Sequence, residues 1–163
     1  MFGLLKTYDV HMCSEVKGQI FLNGKPVVGA KITRKLNYIH KFVENDETQT
    51  DENGNFYMPE VNLSSKKPGD MFVHNFTEQQ IALFYEGQSY LLWRSSVIGI
   101  EEYPEVKEKL ATLNADLSSK EVDFTFPNKR NRNLEFDGTG ICRWETDFDM
   151  YELNDDEEGF FNF

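Results

Sequence analysis

The sequence predicts a mainly β protein: an antiparallel β-sandwich with one added α-helix and an acidic C-terminal extension. Three observations carry that expectation. Two alternating runs within Val16–Pro59 are each broken at an Asn-Gly pair, Asn23-Gly24 and Asn53-Gly54. Both residue types tolerate positive φ, and the turn they make matches the twist of the strands beside it. Short aromatic and aliphatic runs then follow one another closely, as strands of an antiparallel sandwich do. Finally, only Glu101–Leu117 repeats its apolar residues at helical spacing.

Taken in order, Ser14–Leu36 reads as a hairpin. Val16, Gly18, Ile20 and Leu22 share one face of its first strand, and Val28, Ala30 and Ile32 alternate on the return. Pro26 follows the turn, at a strand start where its missing N–H is tolerable. Asn37–Glu47 is a polar connection whose Tyr38, Ile39, Phe42 and Val43 suffice for another short strand. Thr48–Val61 reads as a second hairpin, with Phe56 and Met58 inward and Pro59 ending or edging the strand. Asn62–Asp70 is a loop that turns at Pro68-Gly69. Met71–Phe76, Gln80–Tyr85 and Ser89–Ile98 read as strands, the last two joined by a turn at Glu86-Gly87-Gln88.

A helix is expected near residues 103–117, because Val106, Leu110, Leu113 and Leu117 fall on one helical face. Pro104 suits its first turn, where the lost donor has no partner anyway. Glu105 and Lys109 form an i,i+4 pair in the favoured order. Val122, Phe124 and Phe126 then alternate along Glu121–Pro127, a polar and basic loop spans 128–133, and Leu134–Thr146 supplies a strand or a hairpin around Asp137-Gly138. The domain reading is a sandwich over residues 1–146 and an acidic, aromatic tail over 147–163.

At 163 residues, 39% hydrophobic and 14% aromatic, the chain has the makings of one domain with a real core. A net charge of −11 points away from nucleic acid and anionic membranes as direct partners and towards a basic partner, or towards solubility alone. The apolar stretch near Met1 is shorter than a signal-peptide core, and Ile81–Ile100 is interrupted by Glu86, Gln88 and Arg94, so neither export nor a membrane span is expected. Cys13 and Cys142 stand near opposite ends of the sequence; a long-range disulfide and two reduced buried thiols are both open, and the thiols accord better with a cytoplasmic location.

The run VKGQIFLNGKPVVGAKITR followed by ETQTDENGNFYMP resembles the opening half of a transthyretin-like or carboxypeptidase regulatory-like domain, an Ig-like sandwich. Val16, Gly18, Pro26, Val27, Gly29, Ala30, Thr48, Thr50, Asp51, Gly54 and Phe56 carry the likeness, which covers about the first third of the chain. The resemblance implies a sandwich that binds rather than catalyses, since such domains are mostly non-catalytic modules attached to others. One branch of the transthyretin-like fold hydrolyses 5-hydroxyisourate with histidines, an arginine and a C-terminal Tyr-Arg-Gly-Ser motif. Here the closing residues are Gly159-Phe160-Phe161-Asn162-Phe163, and His11, His40 and His74 match no such motif.

Other chemistry is equally sparse. Asp51, Asn53 and Asn55 have calcium-loop spacing, yet the glycine is Gly54 and the twelfth position is Asn62, so a turn accounts for them better. The cysteines and histidines lack zinc-site spacing. Alternation puts His11 and Cys13 on one strand face, either as a nucleophile with its base or as a satisfied core thiol. No phosphate-cradling loop is present. Neither catalytic residues, metal nor cofactor are expected.

The tail is the exception. Glu145, Asp147, Asp149, Glu152, Asp155, Asp156, Glu157 and Glu158 are interleaved with Trp144, Phe148, Met150, Tyr151, Leu153, Phe160, Phe161 and Phe163, with no Lys or Arg from 145 onward. Such a segment can dock in a basic cleft, charge steering the encounter and aromatics anchoring it. Alternatively its aromatics fold back on the sandwich as a final strand and leave the acids solvated. The tail acids with Tyr151, Phe160 and Phe161 are the candidate partner-binding residues. The expected function is an immunity protein neutralising a basic bacterial toxin. The alternatives are an adaptor of a secretion or surface apparatus, and a ligand-binding or hydrolytic relative gathering His11, Cys13 or His74 in a pocket.

Overall fold

The computed structural model describes residues 6–152. In chain order the first strands are β1 (Tyr8–Cys13), β2 (Val16–Leu22), β3 (Lys25–Pro26), β4 (Lys31–Tyr38), β5 (Lys41–Gln49), β6 (Asn55–Met58) and β7 (Val61–Ser65). After them come β8 (Phe76–Tyr85), β9 (Gln88–Ile98), the helix α1 (Pro104–Leu110), β10 (Ala115–Asp116), β11 (Val122–Pro127), β12 (Glu135–Gly140) and β13 (Asp149–Glu152). One layer is a seven-stranded sheet in the order β13-β11-β12-β9-β8-β4-β5. The other is built on β2, which pairs with β10, β3 and β6, beside the separate β1–β7 ribbon. All pairings are antiparallel except β10 with β2. The architecture is a mainly β, antiparallel sandwich with one helix.

The core between the layers follows from alternation. Ile32 and Leu36 of β4, Phe124 and Phe126 of β11, Val16 and Ile20 of β2, and Phe56 and Met58 of β6 all point inward and are buried. Trp93 lies at the centre, fully buried, with ring centroids 5.7 Å from Phe124 and 6.2 Å from Phe126. Its indole N–H donates to Gln79 Oε1 at 3.0 Å, and the Gln79 amide donates to the Met12 carbonyl at 2.9 Å. One buried side chain thus satisfies a donor and an acceptor from two other strands. Arg34 is more unusual, fully buried on the inward face of β4 and paired twice with Asp46 of β5, at 3.0 and 2.6 Å.

Several elements differ from the expectation, each for a local reason. Asn23 and Gly24 adopt φ of 51° and 78° and do close a hairpin, but its return strand β3 has two residues. The chain then turns at Gly29, with φ of 70°, and crosses to the other sheet as β4. Asn53-Gly54 also makes its turn, closed by the Gly54 N–H donating to the Asp51 carbonyl at 3.0 Å. The strands either side do not pair with each other: β5 pairs with β4, and β6 pairs with β2. Met71–Phe76 is not a strand up to its last residue; the Asp70 carboxylate accepts from the Phe72 N–H at 2.9 Å, which favours a turn, and Met71 and Phe72 stand exposed. Residues read as loop after Asn62 instead continue β7.

The helix stops at Leu110. Beyond it Leu113, Ala115 and Leu117 are buried at every second position, and Ala115–Asp116 pairs with Ile20–Phe21. Asp137-Gly138 is not a turn but mid-strand in β12, where a Cβ on Gly138 would meet the Phe124 ring at 2.7 Å. Four residues of the expected tail, Asp149–Glu152, are β13 and belong to the sheet through β11. No helix among the described residues is long and apolar enough to cross a membrane.

Candidate functional site

The outer face of the seven-stranded sheet carries a hollow lined mainly by polar residues. Register shifts at Leu36/Asn37 in the β4–β5 pair and at Ile81/Ala82 in the β8–β9 pair bend the strands, as an extra residue on one strand does. The hollow that results has a volume of about 590 Å³. Two cross-strand rows of side chains form its floor. The first runs Lys35, Gln80, Arg94, Thr139, Asp123, Tyr151, each directly paired in register with the next, on β4, β8, β9, β12, β11 and β13. The second, two residues along each strand, holds Asn37 opposite Glu78 and Glu78 opposite Ser96, then Asp137 opposite Thr125 and Thr125 opposite Asp149.

The two cations of this floor differ from their neighbours. Lys31 and Arg34 of β4 are paired with Glu47 and Asp46, whereas among the described residues Lys35 and Arg94 have no ion-pair partner and are exposed. Of the acids, Asp123 accepts from the Thr139 hydroxyl at 2.5 Å, and Glu78 accepts from the Asn37 amide at 3.3 Å. Asn37 Oδ1 and Thr125 Oγ1 are shielded from solvent and have no hydrogen-bond partner among the described residues. An unpartnered polar atom of this kind costs about 1–3 kcal/mol.

The tail residues divide. Glu145, Asp147, Asp149 and Tyr151 are exposed, Glu152 ends β13, and Asp155, Asp156, Glu157, Glu158, Phe160 and Phe161 lie outside the described residues. The aromatics between these acids fold back. Trp144 lies 5.4 Å from Phe124 and 6.1 Å from Trp93, and Phe148 lies 5.3 Å from both Phe124 and Trp144. Among the described residues Glu145 and Asp149 have no ion-pair partner, while Asp147 has Lys129 and feels Lys109. Lys129 approaches Asp147 only to 3.9 Å, and Arg143 donates to the backbone carbonyls of Lys120 and Cys142. Lys109 donates to the Thr146 carbonyl at 3.0 Å over the Trp144 ring, its ammonium pushed below the usual lysine range by burial. The tail therefore closes one end of the groove with Tyr151 and presents Glu145, Asp147 and Asp149 beside it.

His11 and Cys13 do not share a face. The β1–β7 register shifts between them, sending Cys13 into the core and His11 outward. Burial pushes the Cys13 thiol up to about 11 against the pull of Arg34; both Cys13 and Cys142 are buried, free thiols. His11 instead gathers Glu60 at 3.3 Å from Nδ1, and Ser14 at 3.1 Å and Glu102 at 3.6 Å from Nε2. One ligand atom from each of His11, Glu60 and Glu102 lies within 4.8 Å of the others, a spacing that could hold a metal ion, and the His11–Glu102 contact also ties β1 to the loop before α1. Ser14 is buried and its hydroxyl donates to Glu102 at 2.9 Å. Partial burial raises the Glu102 carboxyl, but the Ser14 and Lys107 hydrogen bonds and the His11 charge outweigh it and hold it below its usual range. His74 is exposed and His40 stacks edge-on against Phe76, so the three histidines do not converge.

Reading the sequence strand by strand missed the groove. Its signal was present: Lys35/Asn37, Glu78/Gln80, Arg94/Ser96, Asp123/Thr125 and Asp137/Thr139 are polar pairs at alternate positions, each opposite a buried face. Their meeting depends on strand order, which alternation does not reveal.

Comparison with curated proteins and with solved structures finds no significant match. A family does match, over residues 16–120, which takes in β2 through β10 and the half of the groove contributed by β4, β8 and β9. The chain belongs to that family, described as a domain of unknown function, DUF6795.

Proposed function

We propose that the protein is a non-catalytic binding module of the transthyretin-like, carboxypeptidase regulatory-like kind, and that it serves as an immunity protein neutralising a cognate basic bacterial toxin. The observation that carries this reading is the end of the sheet at β11–β13. Glu145, Asp147 and Asp149 are exposed there, with Lys129 3.9 Å from Asp147 and Lys109 also within reach of its charge, in a chain of net charge −11. Toxins that act on nucleic acids carry basic clefts. An acidic surface complements such a cleft, speeds encounter and occupies the substrate path.

The test uses the tagged protein as bait in host lysate at low and high salt. One basic polypeptide should be recovered in stoichiometric amount and released by salt, and co-expression should relieve its toxicity. Neutralising the three acids together (Glu145→Gln, Asp147→Asn, Asp149→Asn) should slow association at least about tenfold, within the range electrostatic steering supplies. The thermal midpoint should stay in place. An unchanged association rate removes the acids from the interface.

A second reading, an adaptor of a secretion or surface apparatus, draws support from β13 itself. Among the described residues it pairs on one side only, and Met150 and Tyr151 are exposed on it. A partner adding a strand there would bind through main-chain hydrogen bonds with little salt dependence.

A further inference from the structure

We propose that the groove on the outer face of the seven-stranded sheet is a second binding site, for an uncharged oligosaccharide. It crosses six strands, which at the spacing of paired strands is about 24 Å from β4 to β13. That direction decides against an extended peptide. Peptides dock on sheets by lying along an edge and pairing with free backbone groups, whereas here the ligand would lie across strands whose backbone is already paired. The rows of the floor are mostly amide, hydroxyl and charged side chains, with Tyr151 as an exposed ring.

The charge pattern selects further. Lys35 and Arg94 stand among Glu78, Asp123 and Asp137, so a ligand along the floor meets both signs of charge in turn. A sugar hydroxyl both donates and accepts, so one chain of rings satisfies cation and carboxylate alike. Arg94 stands mid-row between Gln80 and Thr139, positioned to hold ring hydroxyls, and Tyr151 supplies an apolar ring face at the end of the groove. Asn37 and Thr125, which line the same floor, each carry an oxygen with no hydrogen-bond partner among the described residues. The volume is within the range of small-molecule sites, about 300–1,000 Å³.

The experiment is an amide chemical-shift titration of the full chain with three probes: cellohexaose, chitohexaose and maltohexaose. At least one should shift resonances of β4, β8, β9, β11, β12 and β13 and leave the β1–β7 ribbon unmoved. Arg94→Ala and Tyr151→Ala, both at exposed positions, should each weaken that binding at least tenfold with the thermal midpoint unchanged. Absence of groove shifts with all three probes at about 10 mM, ten times the concentration that half-saturates a 1 mM site, overturns the proposal. Shifts that persist equally in both variants overturn it, as do groove shifts produced by octalysine alone. Asp149 and Tyr151 border both sites, so Arg94→Ala, which touches the floor alone, separates loss of this binding from loss of the basic partner in the pull-down.

Discussion

Arg34 gives the sharpest test of how this sandwich is held together. Its guanidinium is fully buried, Nε and Nη2 donate to Asp46, and Nη1 has no hydrogen-bond partner. Burial alone would lower the Arg34 pKa, but Asp46 and the Cys13 contact outweigh it, so the residue stays charged. Removing Asp46 leaves a cation inside the sandwich without its counter-charge, and breaking a buried pair in this way costs about 3–5 kcal/mol. The Asp46 side chain is 27% exposed, so water reaches the vacated position and the lower figure applies, about 3 kcal/mol.

Removing Arg34 is a different perturbation. Arg34→Met keeps most of the packed stem and leaves the carboxylate where solvent can reach it, and replacing buried ionic groups by apolar ones is often neutral or stabilising. Urea denaturation should therefore show Asp46→Ala losing about 3 kcal/mol, a midpoint shift of about 1–3 M at typical slopes. Arg34→Met should lose less, and the double variant should resemble Arg34→Met alone. Thermal scans should place Asp46→Ala about 6–12 °C below the parent. If Asp46→Ala stays within about 1 kcal/mol of the parent, or Arg34→Met proves the costlier change, the pair does not hold the core in the way described.

Three other expectations rest on separate contacts. Gly18→Ala in β2 should destabilise by at least about 2 kcal/mol in the same assay, because the new methyl collides with the Leu113 carbonyl and meets the Phe56 ring at 2.6 Å. Cys13 should resist a thiol reagent in the native protein and react on unfolding. Its folded pKa is raised to about 11, so its contribution to stability is intact below the unfolded thiol pKa and is lost as pH rises from there through about 11; Cys13→Ala should flatten that alkaline decline. Glu102 has the opposite sign. Its folded pKa is lowered, so its contribution is present above the unfolded carboxyl value and is lost as pH falls through the folded one. Ser14→Ala should raise the Glu102 pKa measured by NMR and reduce the acid dependence of stability.

What could be read from the sequence was local. Asn23-Gly24 and Glu86-Gly87 have positive φ throughout and close two-residue hairpin turns, which Asn23 and the two glycines accept readily and Glu86 does not. Val122, Phe124 and Phe126 face inward as alternation demands. What failed was partner choice. The chemistry of Asn53-Gly54 fixes the turn and not the sheet to which the next strand goes. Leu110, Leu113 and Leu117 satisfy a helical period, while Leu113, Ala115 and Leu117 satisfy a strand period equally well, and pairing with Ile20–Phe21 decides for the strand. The bulge that separates His11 from Cys13 leaves no sequence mark. Ile39 and His40 turn β4 into β5 with φ of 50° and 60°, which a β-branched residue seldom accepts. The groove was hidden for the same reason, since each strand gives it two polar side chains and only the strand order joins them.

The family match ends at residue 120, and the structure argues that the matched stretch is not a complete folding unit in this chain. Trp93 of β9 is buried by Phe124, Phe126 and Trp144, and the Tyr103 ring packs 5.1 Å from Phe136. All the covering residues lie beyond 120. Without them β9 becomes an open edge, and Trp93 and the inward face of its sheet meet water while their ordering entropy is still lost. Each large apolar side chain so exposed forfeits about 1.5–3 kcal/mol, against about 5–15 kcal/mol for a whole domain. A fragment ending at residue 120 should keep some far-UV β signal, lack near-UV dichroism from Trp93, bind a hydrophobic dye and melt without a cooperative transition. A cooperative transition in that fragment would contradict this, and would make β11–β13 a separable addition to the family's sandwich. If the fragment fails as expected, the segment that completes the core is also the one that contributes Asp123, Thr125, Asp137, Thr139 and Tyr151 to the groove. Stability and ligand choice would then be set by the same three strands, so that swapping them between relatives should alter both together.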